Sequence, residues 1–423
     1  MDAEDYAIAI VGGATAGAEA ADIFAKQAIL TVVFEQNARP YGKVEDGLPK
    51  WHVALRQKEY GTIDRKLAQE HVHYVPNTAL GRDVSLRELV EDWGFHSVVL
   101  ANGAWRDRPL PIEGADRYVG RGLVYQNPFI MWFNHRHEAA YDGEEFDVPD
   151  GTLVVGGGLA SIDVAKAVNM QLTLDKLDER GIEGPLVELE IKGIPRVLEG
   201  YGLSWDDLGI EGSTIYYRRR PQDMPLVDLP PDANDRIREK IEKSRARLLG
   251  KAMEKYLFKL VPQRAPVGLV VEDDSLVGLE FAKTRVEDGR VKLTDERVEV
   301  RAPQIISSIG SIPEPIEGIP MNGELYDYQD WDVGKLAPFP TLFSAGNVVT
   351  GKGNIVDSRR HAKKVASHVT DEYLRLAEDV KQLEPLGEGE REALLKRVKA
   401  RQEELQYSDY FSWIEASKPP EFL

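Results

Sequence analysis

Two short runs of glycine and small residues sit where an apolar stretch gives way to a helical one. Val155-Gly156-Gly157-Gly158-Leu159-Ala160-Ser161 follows the spacing G-x-G-x-x-S. The first glycine of such a run permits a tight turn. The second lets a pyrophosphate approach the backbone, and the small third residue lets helix and strand pack closely. N–H groups at the helix start then face the anion. Gly12-Gly13-Ala14-Thr15-Ala16-Gly17 has the same form, with Ala14 where the middle glycine belongs, so a methyl group faces the pyrophosphate. Glu35, next to Gln36, stands at the spacing where an acid accepts hydrogen bonds from adenosine ribose hydroxyls. The plain alternatives are glycine turns without a ligand and a solvated strand-end carboxylate.

The elements around these runs support the chemistry. Tyr6 to Val11 reads as a buried strand, Gly17 to Gln27 as a helix and Leu30 to Glu35 as a second strand. Ser97 to Ala101 is a further strand, followed by Asn102-Gly103. A second unit of the same kind begins at Thr152 to Val155, with a helix from Leu159 to about Met170 and a strand at Thr214 to Tyr217. Arg218-Arg219-Arg220 closes that strand, where guanidinium forks match phosphate geometry. Gln171 to Ser213 reads as a surface insertion, Asp232 to Lys259 as a charged helix and Gly268 to Val300 as short strands and turns. Strands follow at Gln304 to Gly310 and Thr341 to Gly346, and long helices at Ile355 to Leu376 and Glu388 to Gln406. One chain with two dinucleotide units points to two dinucleotides, and the usual reason to hold two is hydride transfer from a nicotinamide to a flavin.

Composition narrows the rest. The 423 residues allow two or three domains, and 71 acidic against 53 basic residues give a net charge of -18. That balance argues against nucleic acid and against an anionic membrane surface. The absence of cysteine excludes disulfides, cysteine-ligated clusters, zinc-thiolate sites and a redox CxxC pair, and fits a cytoplasmic protein. No apolar run reaches about 18 residues, and the acidic Met1-Asp2-Ala3-Glu4-Asp5 lacks the basic start of a signal peptide.

The order of these motifs resembles the FAD- and NAD(P)-dependent reductases that include adrenodoxin reductase, related bacterial ferredoxin–NADP reductases and the glutamate synthase small subunit. The resemblance covers about residues 6 to 375. Pro40-Tyr41-Gly42, with Lys43 after it, and Gly47-Leu48-Pro49 resemble that family's segments over the flavin. Ala101-Asn102-Gly103-Ala104 resembles its turn out of the FAD domain, and Arg106 to Gly114 the linker beyond. Val154 to Lys166 resembles its NAD(P) fingerprint. Arg219 and Arg220 fall where the family recognises the 2′-phosphate of NADPH. Gln304 to Pro313 and Leu342 to Val349 resemble its two closing strands, with Gly346-Asn347 where an aspartate usually meets the flavin ribityl chain. Gly353-Asn354-Ile355 would begin a helix whose N–H groups stabilise charge on the flavin's pyrimidine edge.

The resemblance implies an α/β flavoprotein with two Rossmann-like domains. FAD is expected in residues 1–115 and 330–376, NADP in an inserted domain at 116–329, with NAD possible and a helical extension at 377–423. Electrons would pass to ferredoxin, flavodoxin or a partner subunit. A flavin monooxygenase or oxidase and a non-catalytic flavoprotein interaction module are the rival readings.

The remaining candidates carry less. Trp51 and His52 follow the Gly-Leu-Pro segment; one can pack near a flavin, and His52 is a candidate proton donor. Arg359, Arg360, Lys363 and Lys364 form a basic stretch that would dock an acidic carrier if it is more than a solvated face. His135 and His137 lack further ligands, so no metal is expected. Leu394, Leu395, Val398 and Leu405 make an apolar stripe beside the aromatic Tyr407, Tyr410, Phe411 and Trp413. The stripe needs a cover: the protein's own body, a second copy or another protein.

Overall fold

The computed structural model of the chain describes residues 5–184, 186–230, 232–374 and 383–419. The chain divides into two compact units. One is Met1–Arg106 with Glu138–Ala140 and Ser311–Leu423; the other is Asp107–His137 with Tyr141–Gly310.

The first unit opens with β1 (Ala7–Val11), α1 (Thr15–Ala25), β2 (Leu30–Phe34), α2 (Val53–Leu67), β3 (Val72–Val75) and β4 (Ser97–Leu100). Its parallel sheet has the order Leu342–Ser344, β4, β1, β2, β3. Side chains of β1 alternate between two cores, as a strand's two-residue period requires. Tyr6, Ile8 and Ile10 pack with Ala18, Ala21, Ala362 and Val365; Ala7, Ala9 and Val11 pack with Phe34, Leu100 and Leu342. A strand buried on both faces reads as a continuous apolar run, which is why β1 is plain in the sequence. α2 and β3 were not foreseen. The buried positions of α2 are Arg56, Glu59, Tyr60, Ile63 and Leu67, so charges hide its helical stripe.

The second unit repeats the plan. Its parallel sheet has the order Leu123–Tyr125, Ile305–Ser308, Leu153–Gly156, Thr214–Tyr217, Lys259–Pro262. The helix after the second glycine run extends over Leu159–Asp178, further than expected, and the charged helix covers Asp235–Tyr256. The expected surface insertion instead contains the helices Leu186–Lys192, Ile194–Gly200 and Trp205–Leu208, with Leu189, Ile194 and Leu198 buried. The expected short strands form one antiparallel sheet of Arg264–Glu272, Ser275–Glu287 and Arg290–Arg301.

The unit limits differ from the expected 115/116 and 329/330. Residues 107–115 belong to the second unit, because Leu110 and Ala115 enter a core with Leu123 and Leu153, and the Arg108 N–H donates to the Gly310 carbonyl. Residues 311–329 belong to the first, because Ile319, Tyr326 and Tyr328 pack with Leu100 and Leu342.

The described part of the extension, residues 383–419, is not a separate body. Helix Glu388–Glu404 places Leu394 and Val398 in the core of β2 and β4, and helix Tyr410–Ser417 places Tyr410 and Ile414 in that of α1. Its apolar stripe is therefore covered by the chain's own first unit rather than left for a second copy. The helix from Ile355 ends at His368 and widens into a turn at Val369–Tyr373; the expected continuation at 375–376 lies outside the described residues, as do Met1 to Glu4 and Pro420.

Candidate dinucleotide-binding sites

In an open parallel sheet, ligands bind beyond the carboxyl ends of the strands where strand order reverses. In the first unit that point lies between β1 and β4. Gly12 to Gly17 leaves β1 there, and Ala101-Asn102-Gly103 leaves β4. A Cβ on Gly17 would lie 1.8 Å from the Gly12 carbonyl oxygen, so this glycine lets α1 close on its own strand. Ala16 is buried, and a Cβ on Gly346 would lie 2.5 Å from the Ala16 methyl. Ala14 precedes the first turn of α1 and gives it no side-chain cap, and no acid stands in that turn. The α1 dipole and its first N–H groups are thus uncompensated by the helix itself.

Glu35 is nearly fully buried. Its carboxylate accepts the N–H of Gly13 at 2.7 Å and of Asn37 at 3.0 Å. Burial pushes its pKa up to about 7, and the Gly13 and Asn37 hydrogen bonds oppose the rise. The acid therefore ties the glycine turn to the end of β2, while Gln36 is exposed. The Asn102 amide donates to the Tyr326 hydroxyl at 3.0 Å, but its buried Oδ1 has no partner. An orphaned acceptor beside the uncapped α1 fits a ligand bearing hydroxyl or N–H donors, and an adenosine or ribityl chain has them.

The other positions of this unit are tied into the fold. Lys43 donates to Ser311 Oγ at 3.1 Å and lies 5.5 Å from the Trp105 ring centre, and Leu48 N–H donates to the Lys43 carbonyl. Trp51 is buried, with His52 at the N-cap position of α2 beside it at 5.8 Å between ring centres. The Gly346 N–H donates to His361 Nδ1. Asn347 Oδ1 accepts the Gly353 N–H at 2.7 Å, so one of its two acceptor positions is engaged within the fold. Asn354 caps the helix at Ile355 by accepting the Asp357 N–H. The Asn354 hydrogen bond, then the Lys352 and Arg360 charges, hold the buried Asp357 below the usual carboxylate range despite desolvation. That helix end already carries a negative charge, a feature the sequence reading missed.

In the second unit the reversal lies between Leu153–Gly156 and Ile305–Ser308. A Cβ on Gly156 would lie 2.3 Å from the Ser308 carbonyl oxygen, whereas one on Gly158 would meet nothing within 4 Å. The open glycine is thus the one expected to face a pyrophosphate. Leu159 is exposed, Ala160 half-buried, and the helix has no side-chain cap. Ser161 is buried and donates to the Ser308 carbonyl at 2.9 Å, which makes it a strap within the fold rather than a ligand contact.

A cavity of about 370 Å³ lies at the end of strand Thr214–Tyr217. Arg219, Arg220, Arg238 and Arg245 line it together with Asp223, Glu242 and Asp288. Arg218 is exposed and does not line it. Asp223 pairs with Arg220 at 2.8 Å and with Arg219 at 3.7 Å. Burial opposes ionisation of Asp223, yet Arg220 and Arg219 hold it below its ordinary pKa. Arg238 and Arg245 were missed. Their spacing of seven puts them on one face of a helix, a signal present in the sequence. Among the described residues no group of acids and histidines could hold a metal, and no helix is long and apolar enough to cross a membrane.

No family model matches the chain. It is 31% identical over 172 residues to the glutamate synthase [NADPH] small chain of Bacillus subtilis, covering 39% of this chain and 33% of that one. The chain thus spans about a third of the length of that curated relative. It is 26% identical over 408 residues to the mitochondrial NADPH:adrenodoxin oxidoreductase of Drosophila melanogaster, covering 89% and 83% of the two chains. The solved structure of Mycobacterium tuberculosis FprA in complex with NADPH superposes with a TM-score of 0.71 at 19% identity, over 94% of this chain and 90% of that one. By sequence the chain is similar to adrenodoxin reductase and to the glutamate synthase small chain, and its fold resembles that of FprA.

Proposed function

We propose that the protein is an FAD-dependent NADPH oxidoreductase that passes electrons to an external carrier of the ferredoxin or flavodoxin type. One observation carries this: two separate parallel sheets each place an uncapped helix start after a glycine turn at the point where strand order reverses. Bound together, FAD and NADPH supply hydride transfer followed by release of electrons to an acceptor.

In this reading the chain's residues bind and orient. The first N–H groups of α1 hold a pyrophosphate, and Glu35 accepts from ribose hydroxyls while keeping the Gly13 turn in place. Asn102 Oδ1 takes a donor of the same ligand. The start of Leu159–Asp178 holds the second pyrophosphate at the open Gly158. Arg219 and Arg220 bind the 2′-phosphate in competition with Asp223.

The test is steady-state NADPH oxidation by the FAD-loaded protein with ferredoxin, flavodoxin, ferricyanide and oxygen as separate acceptors. Rapid reduction of a protein carrier supports the proposal. Turnover with oxygen alone, coupled to hydroxylation of an organic substrate, would replace it with the monooxygenase reading.

A further inference from the structure

The segment from Glu35 to Gly42 links the ribose acid to the turn opposite Ala14. In a free loop this stretch would lose its shape readily, since it contains no helix or strand before the short turn at Gly42–Val44. Two bonds from the last helix, Tyr410–Ser417, hold it directly, and a third reaches it through Asp64 of α2. Trp413 Nε1 donates to the Ala38 carbonyl at 2.8 Å. Arg39, whose guanidinium also pairs with Glu45, donates to the Ser417 carbonyl. Tyr410 donates at 2.8 Å to Asp64, and Tyr41 donates at 3.1 Å to the same oxygen. The preceding helix grips the neighbouring strand end: Gln402 donates to the Tyr74 carbonyl at 2.8 Å, and the Tyr74 hydroxyl donates to Ala38 at 3.2 Å.

We propose that the C-terminal helix is a positioning element for the dinucleotide of the first unit. Through Trp413 and Tyr410 it fixes the loop 36–41, and with it the geometry in which Glu35 holds the glycine turn. The inference rests on the reading of that site as an FAD site. Trp413 and Tyr410 need touch no ligand: they act through Ala38 and Asp64.

The test uses the full-length protein stripped of ligand and titrated with FAD. Trp413→Phe removes the N–H while keeping a ring near Tyr407, 5.9 Å away between ring centres. Tyr410→Phe removes one donor to Asp64 and keeps the ring packed on Tyr74; it serves alone if the first variant does not fold. Each lost hydrogen bond should weaken FAD about fivefold, and the pair on the order of twentyfold. NADPH affinity should stay the same, and the rise in Tm on adding FAD should shrink. Unchanged FAD affinity, with the apo and FAD-bound forms losing the same Tm, would overturn the proposal and make the helix ordinary core. A parent protein that takes up no FAD would overturn the functional reading beneath it.

Discussion

The methyl group of Ala14 stands 2.9 Å from the point where a Cβ on Gly42 would lie. The missing glycine of the first fingerprint is thus matched by a glycine across the turn, and the methyl that should crowd a pyrophosphate packs toward Gly42. Gly42→Ala should therefore destabilise the protein by about 1–3 kcal/mol through overpacking. It also sits at a φ of +48°, where a Cβ is strained. Ala14→Gly alone should be tolerated, and the double variant should recover the steric part of the loss. Urea denaturation of the four proteins measures it; strictly additive effects would mean that the two positions do not share the space.

Gly17→Leu should abolish FAD retention. Any Cβ at this position meets the Gly12 carbonyl oxygen at 1.8 Å, so α1 must move off its strand and carry its first N–H groups with it. The cost should be ~3 kcal/mol. Protein that purifies yellow at full stoichiometry would contradict the assignment of this turn.

Arg219→Ala with Arg220→Ala should weaken NADPH by about two decades, at ~1.5 kcal/mol or more per charged contact, and leave NADH nearly unchanged. Asp223→Asn should act in the opposite direction. It removes the acid that competes for both forks, so NADPH should bind severalfold tighter. Equal losses for both coenzymes in the arginine variant would make these residues part of the fold alone.

Glu35 should make the apoprotein's stability fall with rising pH. Its folded pKa, near 7, lies above the ordinary carboxylate value, so the folded state holds a proton that the unfolded state has released. This contribution is fully present below about pH 4.5 and is lost as pH rises through 7. Urea midpoints measured from pH 5 to 8 should drop more for the parent than for Glu35→Gln. Parallel curves would show that Glu35 ionises normally.

The basic stretch on helix Ile355–His368 is largely paired. Arg359 meets Glu59, Arg360 meets Asp357 at 2.9 Å and Lys364 meets Asp332 at 2.9 Å. Lys363 has no ion-pair partner among the described residues. If an acidic carrier docks here, Lys363→Glu should slow its reduction at low salt more than Arg360→Glu does. The difference should vanish as ionic strength rises. No effect of Lys363→Glu at low salt would move the carrier to another face.

Glycine turns and continuous strands were legible because backbone sterics dictate them. Gly12, Gly17 and Gly156 declare close approaches that no larger residue allows, and β1 declares burial on both faces. α2 was hidden because two of its buried positions are charged: Arg56 bonds to Tyr60 one turn on, and Glu59 pairs with the distant Arg359. Asn347 and Asn354 were placed at a flavin on family pattern, but local geometry gives their carbonyl oxygens to Gly353 and Asp357. Periodicity cannot report such a choice. The tail's stripe was legible, its cover was not, because Leu394 and Val398 pack into a core with Val32, Phe34 and Leu100 from far back in the chain.

In the proposed function one chain holds both dinucleotides and moves hydride between them. Anaerobic stopped-flow mixing of the FAD-loaded protein with NADPH, and separately with NADH, tests it most directly. Rapid bleaching of the flavin absorbance in a single turnover is expected, with NADPH effective at lower concentration, and loss of that advantage in the Arg219→Ala, Arg220→Ala protein. Flavin that stays oxidised with both coenzymes would contradict it.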